Sequence, residues 1–184
     1  MIIGVSGPNG AGKGAVIETL ASLGFSVHSL SDVIRQTLAE RGLTETRERM
    51  IEVGRELRAK GGTAALAEAL ADQLDSAANC AVDSIRHPAE VEALRRLHTG
   101  FQLVWVDAPM PLRFERMRVR GRPGDPATLE EMADFENRER SSAEEAGQQL
   151  GAVEQLADAR LDNSGDVAAL REAVSRLLGS GDSP

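Results

Sequence analysis

The chain opens on an uncharged run, IIGVS, and short apolar runs recur at FSVH, CAVDS and FQLVWVD, with a weaker one at DARLDN. Between them the apolar positions fall every third or fourth residue, the spacing of a helix with one buried face. KGAVIETLASL predicts a helix that Gly24 stops, and DVIRQTLAER predicts one that runs to Gly42, capped by Ser29 or Ser31. Thr44 is placed to cap a segment carrying Met50, Ile51, Val53 and Leu57, which the Gly61–Gly62 pair breaks; alanine-rich TAALAEALADQL follows. His87 and Pro88 open PAEVEALRRL, with proline at the first helical position. PLRFERMRVR follows the fourth strand, and Thr128 with Glu131 forms a capping box before a long polar helix. Asp166 starts a last helix reaching about residue 178, and residues 179–184 read as a frayed tail.

Short buried-looking strands alternating with helices predict an α/β fold, a five-stranded parallel sheet with helices on both faces. The whole of 1–178 reads as one domain. Two stretches exceed a normal crossover: helices at about 42–79 and an arginine-rich excursion at about 113–140. Both read as inserts, and function is to be sought there.

A chain of 184 residues, 41% hydrophobic and 27% charged, is long enough to bury a core without staples. Its one cysteine, Cys80, excludes an internal disulfide, and with three scattered histidines it makes a structural zinc site implausible. The net charge of −8 argues against nucleic-acid binding. No apolar run approaches the ~18 residues of a membrane span, so the expectation is a cytoplasmic protein, monomer or homodimer. Nineteen arginines face only two lysines, and one of those, Lys13, sits in a glycine-rich loop.

That loop, GVSGPNGAGKGAV at 4–16, runs strand, loop, helix, and Gly7-x4-Gly12-Lys13 matches the first seven positions of the Walker A pattern. Glycines let consecutive N–H groups turn toward an anion, and the helix adds the positive end of its dipole. Gly7, Pro8, Asn9, Gly10, Ala11, Gly12, Lys13, Gly14 and Ala15 are therefore the expected donor-nucleotide contacts, with Lys13 on the β and γ phosphates. The hydroxyl that commonly follows the lysine and ligates Mg²⁺ is missing.

GPNGAGKG resembles the loop of adenylate kinases, Gly-x-Pro-Gly-x-Gly-Lys-Gly-Thr; Gly14 agrees with it and Ala15 departs from it. The resemblance implies ATP as donor, with Mg²⁺ held by nucleotide oxygens, waters and a carboxylate elsewhere. LSDVIRQ resembles the acceptor-site helix of the same kinases, which implies that Asp32 and Arg35 bind the acceptor. DSIR resembles their Asp-Gly-Phe-Pro-Arg segment with one residue fewer, implying Asp83 near the metal through water and Arg86 on the acceptor phosphate. RFERMRVRGR resembles the lid of nucleoside monophosphate kinases, implying phosphate contacts from Arg116, Arg120 and Arg122, with Arg138 beyond them.

The closing ADARLDNSGDVAALREAV is similar to the last strand and helix of dephospho-coenzyme A kinases, and suggests Asn163, Ser164 and Gly165 as backbone contacts to the adenine. Over nearly its whole length the chain resembles small archaeal-type P-loop kinases related to both groups. The implied activity is ATP- and Mg²⁺-dependent transfer to a nucleoside monophosphate. Dephospho-coenzyme A is the alternative acceptor, and a nucleotide-binding module or slow ATPase the alternative of another class. With no Tyr and one Trp, aromatic stacking platforms for a base are scarce; arginine planes or the apolar walls of the 42–79 helices can cover one instead.

Overall fold

The computed structural model describes residues 1–75, 78–140 and 145–179. Five strands, β1 (Ile2–Ser6), β2 (Ser26–Ser29), β3 (Cys80–Asp83), β4 (Phe101–Asp107) and β5 (Ala159–Asp162), form one sheet in the order β2-β3-β1-β4-β5. Every pairing is parallel. Ile2 aligns with both Cys80 and Phe101, so β1 is central, and all five of its residues are buried. That burial is why its sequence is an unbroken apolar run rather than an alternating one.

The helices are α1 (Lys13–Ser22), α2 (Leu30–Glu40), α3 (Arg47–Gly61), α4 (Ala65–Ala71), α5 (Pro88–Leu97), α6 (Met110–Arg120), α7 (Leu129–Arg140), α8 (Leu150–Gln155) and α9 (Val167–Gly179). One face of the sheet packs Ile3, Val5, Val104 and Val106 against Val16 and Leu20 of α1 and Leu170 and Val174 of α9. The other packs Ile2, Val82, Leu103 and Trp105 against residues of α2, α3, α4, α5 and α8. Trp105 is 1% exposed, a core residue. Residues of both long stretches, among them Met50 and Ile51 of α3 and Arg116 and Arg120 of α6, line one cleft with the loop after β1 and with Asp83 at the carboxyl end of β3, the end where open parallel sheets bind ligands.

Several boundaries differ from the sequence reading. Of the two serines expected to cap α2, Ser29 does so, accepting from the Ser31 amide at 3.3 Å. Thr46, not Thr44, caps α3 through the Arg49 amide; the Thr44 carbonyl instead accepts from Arg49 Nη1. The alanine-rich helix stops at Ala71, three residues short of Leu74. The polar helix ends at Arg140, and a separate α8, which has no strong signal of its own, precedes β5. Thr128 does accept from the Glu131 amide, but Glu131 reaches back to Ala127 N rather than to Thr128. His87 caps α5 with a complete box, Pro88 following it. Gly179 still belongs to α9, and the remainder of the expected tail, 180–184, lies outside the described residues.

Candidate active site

The glycine loop is shaped by what presses on it. A Cβ on Gly7 would sit 2.1 Å from the Val106 carbonyl oxygen, and one on Gly12 would sit 2.0 Å from Asn163 Nδ2. Both residues are also in positive φ, 148° and 97°, which L side chains rarely adopt. The Asn163 amide donates to Ala11 O at 2.8 Å, and Arg113 Nη1 donates to Asn9 O at 3.1 Å. No side chain caps the start of α1; the Ala15 and Val16 amides donate to Gly12 O, and those of Lys13 and Gly14 remain for an anion.

Lys13 folds back over this loop, donating to Gly7 O at 2.8 Å and Pro8 O at 2.9 Å. Burial pushes its ammonium down to about 7, and Arg86 and Arg120 push the same way, while Asp83 and Glu139 pull it up. Without a bound anion the site thus holds a lysine that gives up its proton near neutrality.

Beyond the loop lies a cleft of about 1030 Å³, lined by the loop, α2, α3, the end of β3, α6 and the segment before α8. At the end of β3, Ser84 takes a left-handed φ of 66°, an uncommon conformation for a serine, and its hydroxyl accepts from Ser29 Oγ at 3.1 Å. This turn sends the chain to Arg86. Four buried polar atoms on the cleft wall have no partner among the described residues: Asp83 Oδ1, Arg86 Nη1, Arg116 Nη1 and Gln148 Oε1. Native interiors seldom leave such atoms unmatched, so four in one cleft point to a polar, charged ligand.

The structure brings most of the expected residues together. Lys13, Arg35, Asp83, Arg86, Arg116, Arg120 and Arg122 all line the cleft, with Asn9, Gly10, Gly12, Gly14 and Ala15 of the loop. Arg116 also donates from Nη2 to Asn163 O at 2.8 Å, tying α6 to the β5 loop. The Asn163 side chain also braces the loop through Ala11 O, a role the sequence did not suggest. Asp32 is not on the cleft wall; it pairs with Arg35 at 2.7 Å, and Arg35 also meets Glu45 at 3.2 Å. Gly7, Pro8, Ala11 and Asn163 do not line the cleft, and neither does Arg138, which is exposed, lies 4.8 Å over the Phe135 ring and donates to its own helix at Asp134 O.

Its neighbour Glu139 faces the site instead, one residue further around α7. Glu139 accepts from Asn9 Nδ2 at 2.8 Å and Arg47 Nη2 at 3.1 Å. Asp125 completes the array, taking both its oxygens to Arg120 Nη2 and lying 3.8 Å from Arg47. Arg113, on the same helix face as Arg116 and Arg120, is buried against Glu136 and serves α7 rather than the cleft.

Sequence reasoning also passed over Arg58 and Glu90. Glu90 is fully buried; its Oε1 takes Arg58 Nε at 2.9 Å and Nη2 at 2.7 Å, and its Oε2 takes the amides of Arg86 at 2.8 Å and His87 at 3.0 Å. One carboxylate therefore fixes a cleft arginine and the backbone of another. The only hint was Glu90's place in the DSIRHPAEVE series, because a buried ion pair across 32 residues leaves no local pattern. The His87 ring accepts from Ala89 N through Nδ1, so its Nε2–H donates to Glu145 O at 3.0 Å; burial pulls its pKa below the usual histidine range.

The donor set fits a nucleotide. Loop amides and Lys13 suit phosphates, and Asp83 keeps one buried oxygen free. No cluster of three or more His, Cys, Asp or Glu among the described residues could hold a metal ion unaided. A divalent ion would rest mainly on the nucleotide's own oxygens, as is common for Mg²⁺. No helix among the described residues is long and apolar enough to cross a membrane.

A family model described as an AAA domain matches residues 3–144. A UPF0200 protein of Hyperthermus butylicus is 35% identical over 187 residues, covering 98% of this chain and 97% of the relative. A UPF0200 protein of Pyrococcus abyssi is 34% identical over 184 residues, covering 97% and 95%. In three dimensions a shikimate kinase from Bacteroides thetaiotaomicron superposes with a TM-score of 0.64 at 16% identity, over 100% of this chain and 99% of that one. At that identity the likeness speaks for the fold alone, a P-loop kinase fold with five parallel strands. Matched by relatives over nearly its full length, and by an AAA-domain model over a stretch that includes the loop, the chain belongs to the UPF0200 proteins.

Proposed function

We propose that the protein transfers the γ-phosphoryl group of ATP, with Mg²⁺, to a nucleoside monophosphate. The observation that carries this reading is the set of unpartnered buried atoms, Asp83 Oδ1, Arg86 Nη1 and Arg116 Nη1, on the wall of the cleft that holds Lys13. They offer cations and one carboxylate where a donor phosphate and an acceptor phosphate would meet.

The loop amides and Lys13 hold the β and γ phosphates, and Asn163 keeps the loop in its receptive shape. Arg86 faces the acceptor phosphate, and Arg35 closes the acceptor side once it leaves Asp32 and Glu45. Arg116, Arg120 and Arg122 neutralise the charge spread over the transferring group, which is most of what phosphoryl transfer asks of a protein. Asp83, through water, would help to hold Mg²⁺, and the ion would supply positive charge against that of the phosphates. No general base is needed, because an acceptor phosphate is already an anionic nucleophile at neutral pH. The wall formed by Leu30, Ile34, Met50, Ile51 and Leu66 offers an apolar face for a base, in place of the absent aromatic platforms.

A coupled assay with ATP, Mg²⁺, a panel of nucleoside monophosphates and dephospho-coenzyme A tests the proposal. Product with a nucleoside monophosphate supports it. Product only with dephospho-coenzyme A moves the acceptor to that class, and slow hydrolysis without any acceptor makes the protein an ATPase.

A further inference from the structure

Every backbone position of positive φ among the described residues is a glycine except one, Ser84, at 66°. A side chain strains a left-handed backbone that glycine adopts freely, so a serine here carries a conformational cost. Strain of this kind gathers at binding sites, where the side chain itself is needed.

The turn around Ser84 is held firmly. Ser6 Oγ donates to Ile85 O at 2.7 Å, the Arg86 amide donates to Glu90 Oε2 at 2.8 Å, and Gln149 N donates to Arg86 O at 2.9 Å. Ile85 is buried in the core, while Ser84 and Arg86 on either side of it line the cleft. Hydrogen bonds into Ser84 run one way. The Ser31 amide donates to Ser29 Oγ at 3.3 Å, and Ser29 Oγ donates in turn to Ser84 Oγ at 3.1 Å. Ser84 keeps its own proton, and no acceptor among the described residues takes it; even Asp83 Oδ1, one residue back, is unmatched. Two residues on, Arg86 Nη1 is a second donor without a partner. An arginine can only donate, so a group that meets both must accept, and a phosphate oxygen does so while balancing the arginine's charge.

Resting on the reading of this cleft as a kinase site, we infer that Ser84 is a substrate-binding residue whose hydroxyl donates to the phosphate of the acceptor, beside Arg86. A glycine would make the same turn without strain, but it could not make this contact.

Ser84→Gly and Ser84→Ala separate binding from structure, because they move stability in opposite directions. Glycine relieves the left-handed strain, so the melting temperature should hold or rise. Alanine keeps the strain and loses the bond from Ser29, so the melting temperature should fall. Calorimetry of AMP, GMP, CMP and UMP, each beside its nucleoside, against the protein with a non-hydrolysable ATP analogue and Mg²⁺ reads the contact. In both variants the affinity for a monophosphate that binds the wild type should fall about tenfold, as for a lost bond to a charged group. Affinities for its nucleoside and for the ATP analogue should not change. Affinity that follows stability, lost in Ser84→Ala but kept in Ser84→Gly, overturns the inference and leaves the hydroxyl a brace of the turn, while the kinase reading stands. An equal loss for the nucleoside or for the ATP analogue would place the hydroxyl on another part of the ligands and overturn it as well. If no nucleoside monophosphate binds the wild type, with the ATP analogue or without it, the acceptor reading itself fails and the inference goes with it.

Discussion

The two halves of the cleft are built on opposite plans. On the donor side the loop is pressed into shape: Val106 O against Gly7, Asn163 against Gly12, Arg113 on Asn9 O. Its donors are backbone amides with fixed directions. On the acceptor and lid side the donors are flexible arginines, and most are already engaged by carboxylates. Arg35 holds Asp32 and Glu45, Arg120 holds Asp125, and Arg47 holds Glu139. On the proposed reading, the donor half is ready before its ligand arrives, and the other half exchanges carboxylates for phosphates. Such an exchange keeps the cations gathered in a chain of net charge −8 while the site is empty.

The largest test of this contrast is Lys13→Ala. Transfer should fall on the order of 10³-fold, because a charge aimed at the reacting phosphates is gone. Thermal stability should hold or rise. The native ammonium titrates near 7 rather than at its ordinary 10.5, so below pH 7 the fold carries the full cost of a buried charge, and that cost fades as pH rises toward 10.5. A coupled assay with calorimetric unfolding at pH 6.5 reads both. Lost activity together with a lower melting temperature would mean that the lysine serves the fold.

Gly12→Ala comes next. The added methyl meets Asn163 Nδ2 at 2.0 Å, on a backbone held at φ 97°. ATP affinity should drop about 100-fold, equivalent to ~2.7 kcal/mol, with the fold retained. Gly14→Ser is its counterpart. Nothing lies within 4 Å of a Cβ there, so the glycine is not sterically required and a hydroxyl can be restored. The ATP affinity of Gly14→Ser should be more Mg²⁺-dependent than that of the wild type, which titrations with and without EDTA would show.

A third test follows from the titration of Lys13. At pH 8 the free protein holds this side chain largely neutral, and a bound polyphosphate favours the ammonium. ATP binding at pH 8 should therefore take up about one proton, and affinity should fall as pH rises above 7. Calorimetry in buffers of different ionisation enthalpy measures the uptake. Binding without proton uptake would place the polyphosphate away from Lys13.

How much of this could be seen in the sequence divides along the same line as the site. The sheet, the loop and the caps at His87 and Thr128 are local features, written in runs, spacings and short motifs. The loop residues and Arg86 were legible for that reason. Glu90, Glu139 and Gln148 were not, because their roles depend on which elements meet across the cleft. Helix α7 shows the limit most plainly. ENRER offers Arg138 as the natural phosphate ligand, yet neighbouring residues on a helix point about 100° apart, and α7 presents Glu139 to the loop. Charge type suggested the ligand, and only helix phase could choose between neighbours.

The neighbouring pair 138 and 139 gives the smallest effects and the sharpest contrast within one helix. Glu139→Gln weakens the grip on Arg47 while an amide can still meet Asn9, so Arg47, left with Asp125 at 3.8 Å and the Phe135 ring, turns more readily to phosphate. ATP should bind two- to fivefold more tightly at low salt, less so as salt screens the arginine. Arg138→Ala should leave turnover within about twofold, since its side chain spans only Phe135 and its own helix, and should lower stability by under ~1 kcal/mol through the lost ring contact. Steady-state kinetics of the two variants side by side would check the assignment. A large loss of transfer in Arg138→Ala would mean that α7 rotates on closing to bring this arginine inward, and the carboxylate exchange would then have to include a helix turn.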